Sequence, residues 1–212
     1  MDELTKVVLE SNADVIGISE ANLPKFIPDG QVEIPGYNMI RGGTVNNDQI
    51  PLTRVVVYVR DNLDVRVRED LMSKDQTSVW LDLVLQNNRK LCIGQFYREF
   101  SRMEGNGNQT TIQDQHRQWD DFLATWVRAS RGGETVVLGD FNIDFVTWVG
   151  NNTRPQDSYF WSEIVDKVIP NNFTQIINSP TRYHKPTDTH TLLDHIWVNC
   201  PTKVVSFNTK PW

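Results

Sequence analysis

The sequence predicts a layered α/β sandwich, with helices packed outside sheets that are mainly antiparallel. Three observations carry this expectation. Amphipathic helical periodicity recurs in separated segments. Between these segments lie short apolar or alternating runs joined by turn residues. No GxGxxG follows a strand and no GxxxxGKS/T is present, so a dinucleotide-binding sheet and a P-loop are not indicated. The 212 residues suit one domain spanning residues 1–212.

Leu4, Val7 and Val8 have helical spacing over Met1 to Ser11, and Asn12 is a helix stop. The run Asp14-Val15-Ile16-Gly17-Ile18-Ser19-Glu20 then reads as a buried strand. Loops rich in Pro, Gly and Asn are expected over Asn22 to Pro35 and Gly42 to Pro51, around a short strand at Tyr37 to Arg41. Thr53 to Arg60, Ser78 to Gln86 and Lys90 to Tyr97 read as strands, with turns at Asp61-Asn62 and Asn87-Asn88. This stretch looks like antiparallel meanders. Gln113 to Arg131 places Trp119, Phe122, Leu123, Trp126 and Val127 on one helical stripe and ends at Gly132-Gly133. Glu134 to Gly139 is a buried strand, Asp157 to Val168 a second amphipathic helix, and Thr191 to Asn199 a final strand. No internal repeat or linker is visible.

Composition narrows the function. Hydrophobic residues make up 39% and charged residues 23%, enough for a core and unlike a disordered or collagen-like chain. Lys plus Arg is 21 against 27 for Asp plus Glu, a net charge of -6, which excludes a strongly basic polyanion binder. A nucleic-acid substrate stays open, because an enzyme that meets one phosphate through a metal needs only a local basic patch. Cys92 and Cys200 are too few for a disulfide scaffold, which favours a reducing intracellular setting. The longest apolar run, Val55 to Val59, is far short of a membrane span, and no signal peptide is seen, so no membrane partner is expected.

The sharpest chemical signal is Val136-Val137-Leu138-Gly139-Asp140-Phe141-Asn142. An apolar strand delivers Gly-Asp-x-Asn, in which glycine permits close backbone approach, Asp140 can act as base or ligand, and Asn142 donates hydrogen bonds without charge. Alone, the pattern also describes an Asx turn at a strand end. Glu20 closes a second strand in the same manner, and such a carboxylate suits Mg2+, which takes one or two protein carboxylates and fills its shell with water and phosphate. Alone it is equally a solvated residue opening a loop. Asp194 and His195 interrupt the apolar run Leu192 to Val198. Asp194 buried there needs a partner and should orient a histidine or another donor, whereas His195 reads first as a satisfied, half-buried side chain. His184, His190 and His195 lie within twelve residues, yet their spacing fits no standard zinc site. Trp119 and Trp126 belong to the core before any base-stacking role.

Together these pieces resemble the endonuclease/exonuclease/phosphatase superfamily, whose fold is DNase I-like, and within it the endonuclease domains of LINE-type non-LTR retrotransposons. The matching segments are Asp14 to Glu20, Val55 to Arg60, Phe96-Tyr97-Arg98, Gly139 to Asn142, Ser179-Pro180-Thr181-Arg182 and Leu193-Asp194-His195-Ile196, in order along the chain. The resemblance implies a four-layer α/β/β/α sandwich. It implies a metal-dependent DNA endonuclease associated with a reverse transcriptase, intracellular, and nuclear if it acts on genomic DNA. Glu20 would hold Mg2+ or Mn2+. Asp140 would activate water, Asn142 would bind the scissile phosphate with Tyr97 beside it, and Asp194 would orient a catalytic histidine. Arg98, Thr181 and Arg182 would contact DNA, with His184 and Lys185 extending the basic patch. The product would be a nick bearing a 3′-hydroxyl and a 5′-phosphate.

Two family motifs have no counterpart in these 212 residues: an opening strand with an active-site Asn, and a closing Ser-Asp-His segment that carries the catalytic histidine. His195 does not replace it by register. The expectation is therefore a domain incomplete at both termini, short of its first and last strands and weakly active or inactive as a nuclease by itself. Exposed sheet edges then invite a homo-oligomer or a strand-donating partner. The alternative is a domesticated, non-catalytic DNA- or protein-binding module. A phosphatase on inositol phosphates ranks lower, because no dense basic pocket is evident.

Overall fold

The computed structural model describes residues 2–47, 50–73, 77–99, 112–150, 157–184 and 189–209. Lys185 of the expected basic patch lies outside them. Helix α1 (Asp2–Ser11) is followed by β1 (Val15–Pro24), β2 (Tyr37–Arg41), β3 (Thr44–Asn47) and β4 (Ile50–Arg60), which form one antiparallel sheet. In it β4 lies between β1 and β2 and also pairs with β3. The β-branched run of β4 explains why this strand is central. Val55, Val57 and Val59 point to one face and Val56 and Tyr58 to the other, all buried, as expected of a strand covered on both sides.

The second sheet contains β5 (Val65–Val67), β6 (Ser78–Val84), β7 (Lys90–Tyr97) and β8 (Glu134–Asp140). Between β7 and β8 runs helix α2 (Ile112–Ser130), and β8 is followed by α3 (Phe145–Val149), α4 (Ser158–Lys167) and β9 (Thr174–Gln175). A separate ribbon of β10 (Arg182–His184) and β11 (Thr189–Thr191) precedes β12 (Asp194–Val198). The strand order is β5-β6-β7-β8-β12-β9. All its pairs are antiparallel except β7 with β8, whose parallel pairing needs the long crossover that α2 provides.

Three apolar layers hold these parts together as a four-layer α/β/β/α sandwich. Val8 of α1 packs with Ile34, Tyr37, Val56 and Tyr58. Val55, Val57 and Val59 meet Val79, Leu81, Leu83 and Tyr97 between the sheets. Trp80, Phe96 and Trp197 meet the helix layer through residues such as Phe122, Trp126 and Trp161. Phe96 and Phe122 stack with centroids 3.6 Å apart. Trp119 and Trp126, at 1% and 0% exposure, are core residues as expected. Among the described residues, no helix is long and apolar enough to cross a membrane.

Three expectations are corrected. The segment read as a loop from Gly42 to Pro51 contains β3 and the first residues of β4, paired as a hairpin (Thr44 with Thr53). The single strand read over Thr191 to Asn199 is two strands: Leu192 and Leu193 leave the ladder, with the Leu192 N–H held by Asp144 Oδ1 at 3.0 Å. The stretch from Thr53 to Tyr97 read as antiparallel meanders is divided between the two sheets: β4 pairs with β1, β2 and β3, whereas β6 and β7 pair antiparallel in the second sheet.

Candidate active site

Register across the second sheet places three predicted residues in one row. Tyr97 of β7 pairs with Asp140 of β8, and Asp140 pairs with Asp194 of β12. Paired positions share a face, so these side chains lie together at one end of the sheet. Glu20 arrives from the other sheet. The β1–β4 ladder shifts register between Ser19 and Leu23, and Glu20 and Asn22 take left-handed φ values of 54° and 47°. Such a bulge re-aims a side chain. Here it brings Glu20 against the Tyr97 hydroxyl, which donates to Glu20 Oε1 at 2.6 Å. Ser19 ties the sheets at this point, its hydroxyl accepting from the Asp140 N–H at 3.2 Å and from Gln95 Nε2 at 3.0 Å.

The β8 end follows from its glycine. Gly139 has φ +141°, and a Cβ there would lie 1.8 Å from the Phe96 carbonyl oxygen, so only glycine lets β8 approach β7 this closely. Asn142, at φ 51°, turns its N–H back to Asp140 Oδ1 at 2.9 Å. Its side-chain Nδ2 donates to the Arg98 carbonyl at 2.7 Å, which uses one of the two amide N–H donors and fixes the plane of the amide. Asp140 is 6% exposed. Burial pushes its carboxyl up to about 6, helped by the charge of Asp194 and more weakly by Glu20, against the Asn142 N–H and Arg182. Burial and the bond to Glu20 push the Tyr97 phenol up to about 12, so it is a donor at neutral pH.

Over residues 1–207 the chain matches the endonuclease/exonuclease/phosphatase family. It is a member of that family. No curated protein matches it. Among solved structures it is similar to the endonuclease domain of TRAS1, a telomere-specific non-LTR retrotransposon, with 14% identity, 92% of this chain and 76% of that one covered, and a TM-score of 0.59. It is also similar to the AP endonuclease LMAP from Leishmania major, with 11% identity, 92% and 72% covered, and a TM-score of 0.65. The human Nocturnin catalytic domain with bound sulfate gives 15% identity, 92% and 73% covered, and a TM-score of 0.56. At these identities the likeness is one of fold, which is DNase I-like.

Within this endonuclease/exonuclease/phosphatase fold, three predicted residues stand differently from their expected places. Arg98, expected on DNA, is 7% exposed. Its Nε donates to the Phe141 carbonyl at 2.7 Å, its Nη2 to the Asn142 carbonyl at 2.5 Å, and its guanidinium sits 4.3 Å from the Phe160 ring centroid. It clamps the loop that carries Asn142. Arg98→Met should strand both carbonyls and cost about 2–4 kcal/mol in a urea melt, and an unchanged midpoint would remove this role.

Asp194 is exposed at the start of β12, not buried, because strand alternation turns His195 inward instead. His195, 1% exposed, faces the helix layer on the opposite side of the sheet from Asp194. Its Nε2 donates to the carbonyls of Ile143 at 3.0 Å and Leu192 at 3.1 Å, its Nδ1 accepts from Trp197 Nε1 at 3.4 Å, and burial lowers its pKa to about 4. Its satisfied core position agrees with the first reading, although burial is complete rather than half. It also keeps His195 away from His184 and His190 of the β10–β11 ribbon, so that trio does not assemble. His195, its neighbour in the strand, is therefore not the histidine that Asp194 was expected to orient. Thr181 instead anchors the strand start, its hydroxyl accepting from the N–H groups of Leu193 at 3.2 Å and Asp194 at 3.1 Å. Arg182 is exposed and acts electrostatically on both Asp140 and Asp194.

The structure also adds residues that sequence reasoning missed. Arg54 reaches Tyr97, Glu20 and Glu99, and its only sequence signal was a charge at the head of an apolar run. Asp144, 3% exposed, caps α3 through the Val146 N–H and holds Leu192, joining the Asn142 loop to β12. Among the described residues, no three His, Cys, Asp or Glu side chains form a ready metal cage.

Proposed function

We propose that this chain is a divalent-metal-dependent phosphodiesterase that nicks DNA, of non-LTR retrotransposon origin. The convergence of Glu20, Tyr97, Asp140, Asn142 and Asp194 at one end of the paired sheets carries the reading. The donor set suits Mg2+ or Mn2+: Glu20 offers a carboxylate that is 47% exposed, and Asp140, raised first by burial and then by the charges of Asp194 and Glu20, stands among carboxylates whose mutual repulsion a divalent cation relieves. A single carboxylate with water and phosphate completing the shell needs no three-ligand cage. When bound at Glu20, the cation would polarise the scissile phosphoryl oxygen.

The remaining chemistry belongs to the side chains. Asp140, ionised above pH about 6, takes a proton from the attacking water as its oxygen bonds to phosphorus. Asn142 presents an amide N–H, fixed by Arg98, to a phosphoryl oxygen, and Arg182 meets a neighbouring phosphate. The P–O3′ bond breaks in line, leaving a 3′-hydroxyl and a 5′-phosphate. None of these side chains is assigned to protonate O3′, which takes its proton from solvent, and turnover by these residues alone is slow. Acting on genomic DNA, the protein would work in the nucleus.

A supercoiled-plasmid assay tests this. Slow nicking that requires Mg2+, stops with EDTA and falls about 100-fold or more in Glu20→Gln is expected. Nicking that persists in EDTA or in Glu20→Gln would sink the reading. Mg2+-dependent DNA binding without any nicking would favour the non-catalytic module.

A further inference from the structure

The proposed reaction gives no role to the arginine of the cluster. Arg54, from β4, is 13% exposed and lies among acceptors. Its Nη2 donates to the Tyr97 hydroxyl at 3.0 Å and its Nη1 to Asn22 Oδ1 at 2.5 Å. Nη2 also stands 3.8 Å from Glu20 and 3.7 Å from Glu99, and the guanidinium lies 4.9 Å from the Tyr97 ring centroid. A phenol has one proton, and because Arg54 donates to the phenol oxygen, that proton can serve only the opposite acceptor, Glu20. The Arg54 Nε is buried without a hydrogen-bond partner among the described residues, a cost that packing alone would not retain.

We propose that Arg54 is a positioning residue: it fixes the Tyr97 hydroxyl in one orientation, and its charge sets how strongly Glu20 attracts a divalent cation. This rests on the reading of Glu20 as the metal ligand. The two parts have opposite consequences. Removing a positive charge 3.8 Å from the Glu20 oxygen strengthens cation binding, whereas releasing the Tyr97 hydroxyl slows the reaction. A merely structural arginine would weaken both.

The test uses the full chain with 13C-labelled tyrosine, the Tyr97 signal being assigned through Tyr97→Phe. In Arg54→Gln the Tyr97 signal should move while those of the other four tyrosines stay in place. The Mg2+ Kd should tighten about five- to tenfold and nicking should fall about tenfold. Arg54→Lys, which keeps the charge, should return the Mg2+ Kd to the parent value and restore only part of the Tyr97 signal. A Tyr97 signal unmoved in Arg54→Gln, or a Mg2+ Kd that weakens, overturns the inference. A parent protein that binds no Mg2+ overturns the assignment of Glu20 instead, and the Tyr97 signal then decides the role of Arg54 by itself. Should Arg54→Gln not fold, the Tyr97 signal in Arg54→Lys makes the same decision.

Discussion

Asp140→Asn should abolish nicking, by about 1,000-fold or more, and at the same time make the protein more stable at pH 8. The two effects share one cause. Burial and Asp194 hold the Asp140 carboxyl at about 6 in the folded chain, above its ordinary value of 3.8, so ionisation is disfavoured where the reaction needs it. A group raised in this way favours the folded state only while protonated. Its contribution is complete below pH 3.8 and is lost as pH rises through about 6, a difference of about 3 kcal/mol at most. An amide keeps the acceptor for the Asn142 N–H and carries no charge to desolvate. Thermal melts of both proteins should therefore diverge between pH 4 and 6 and stay apart by about 1–3 kcal/mol above that window. An Asn variant that melts lower than its parent at pH 8 would show that the Asp140 carboxylate is stabilised by its surroundings, and the role of base would have to move elsewhere.

Gly139→Ala should be severely damaging. At φ +141° the added Cβ would lie 1.8 Å from the Phe96 oxygen, 2.8 Å from its carbonyl carbon and 3.0 Å from its nitrogen. Backbone cannot swing aside as a side chain can, so β7 and β8 must separate at the point where Tyr97 and Asp140 are paired. A loss of about 4 kcal/mol or more is expected, a large share of the roughly 5–15 kcal/mol by which a typical domain is stable. Gly133→Ala is the control. That glycine also has a positive φ, +135°, but meets nothing within 4 Å, and should cost about 1 kcal/mol. Equal, small effects at both positions in urea melts would mean that β7 and β8 are not held this close.

What could be read in advance depended on how local each signal was. The alternation of Val55 to Val59, the stripe of α2 and the apolar run into Asp140 each repeat over a few neighbours, so their elements emerged with ends within a few residues of the observed ones. The family motifs pointed to Glu20, Tyr97, Asp140, Asn142 and Asp194, and the folded chain brings these five to one place. Arg98 misled because an arginine beside Tyr97 looks the same in sequence whether it faces solvent or two backbone carbonyls. Asp194 misled in the opposite sense, since one step of strand register decides whether it or His195 faces inward, and it is His195 that does.

By itself, then, the sequence determined the periodic elements, the family and the chemical character of the site. Tertiary structure alone decided the parallel pairing of β7 with β8, the break between β11 and β12, the burial of His195 and the insertion of Arg54 between Tyr97 and two glutamates. The physical reason is separation along the chain. Tyr97 bonds to Glu20 across 77 residues, and the Asp140 N–H bonds to the Ser19 hydroxyl across 121. Contacts of that span leave no local periodicity, and they form only when two sheets already stacked by their valines bring their ends together.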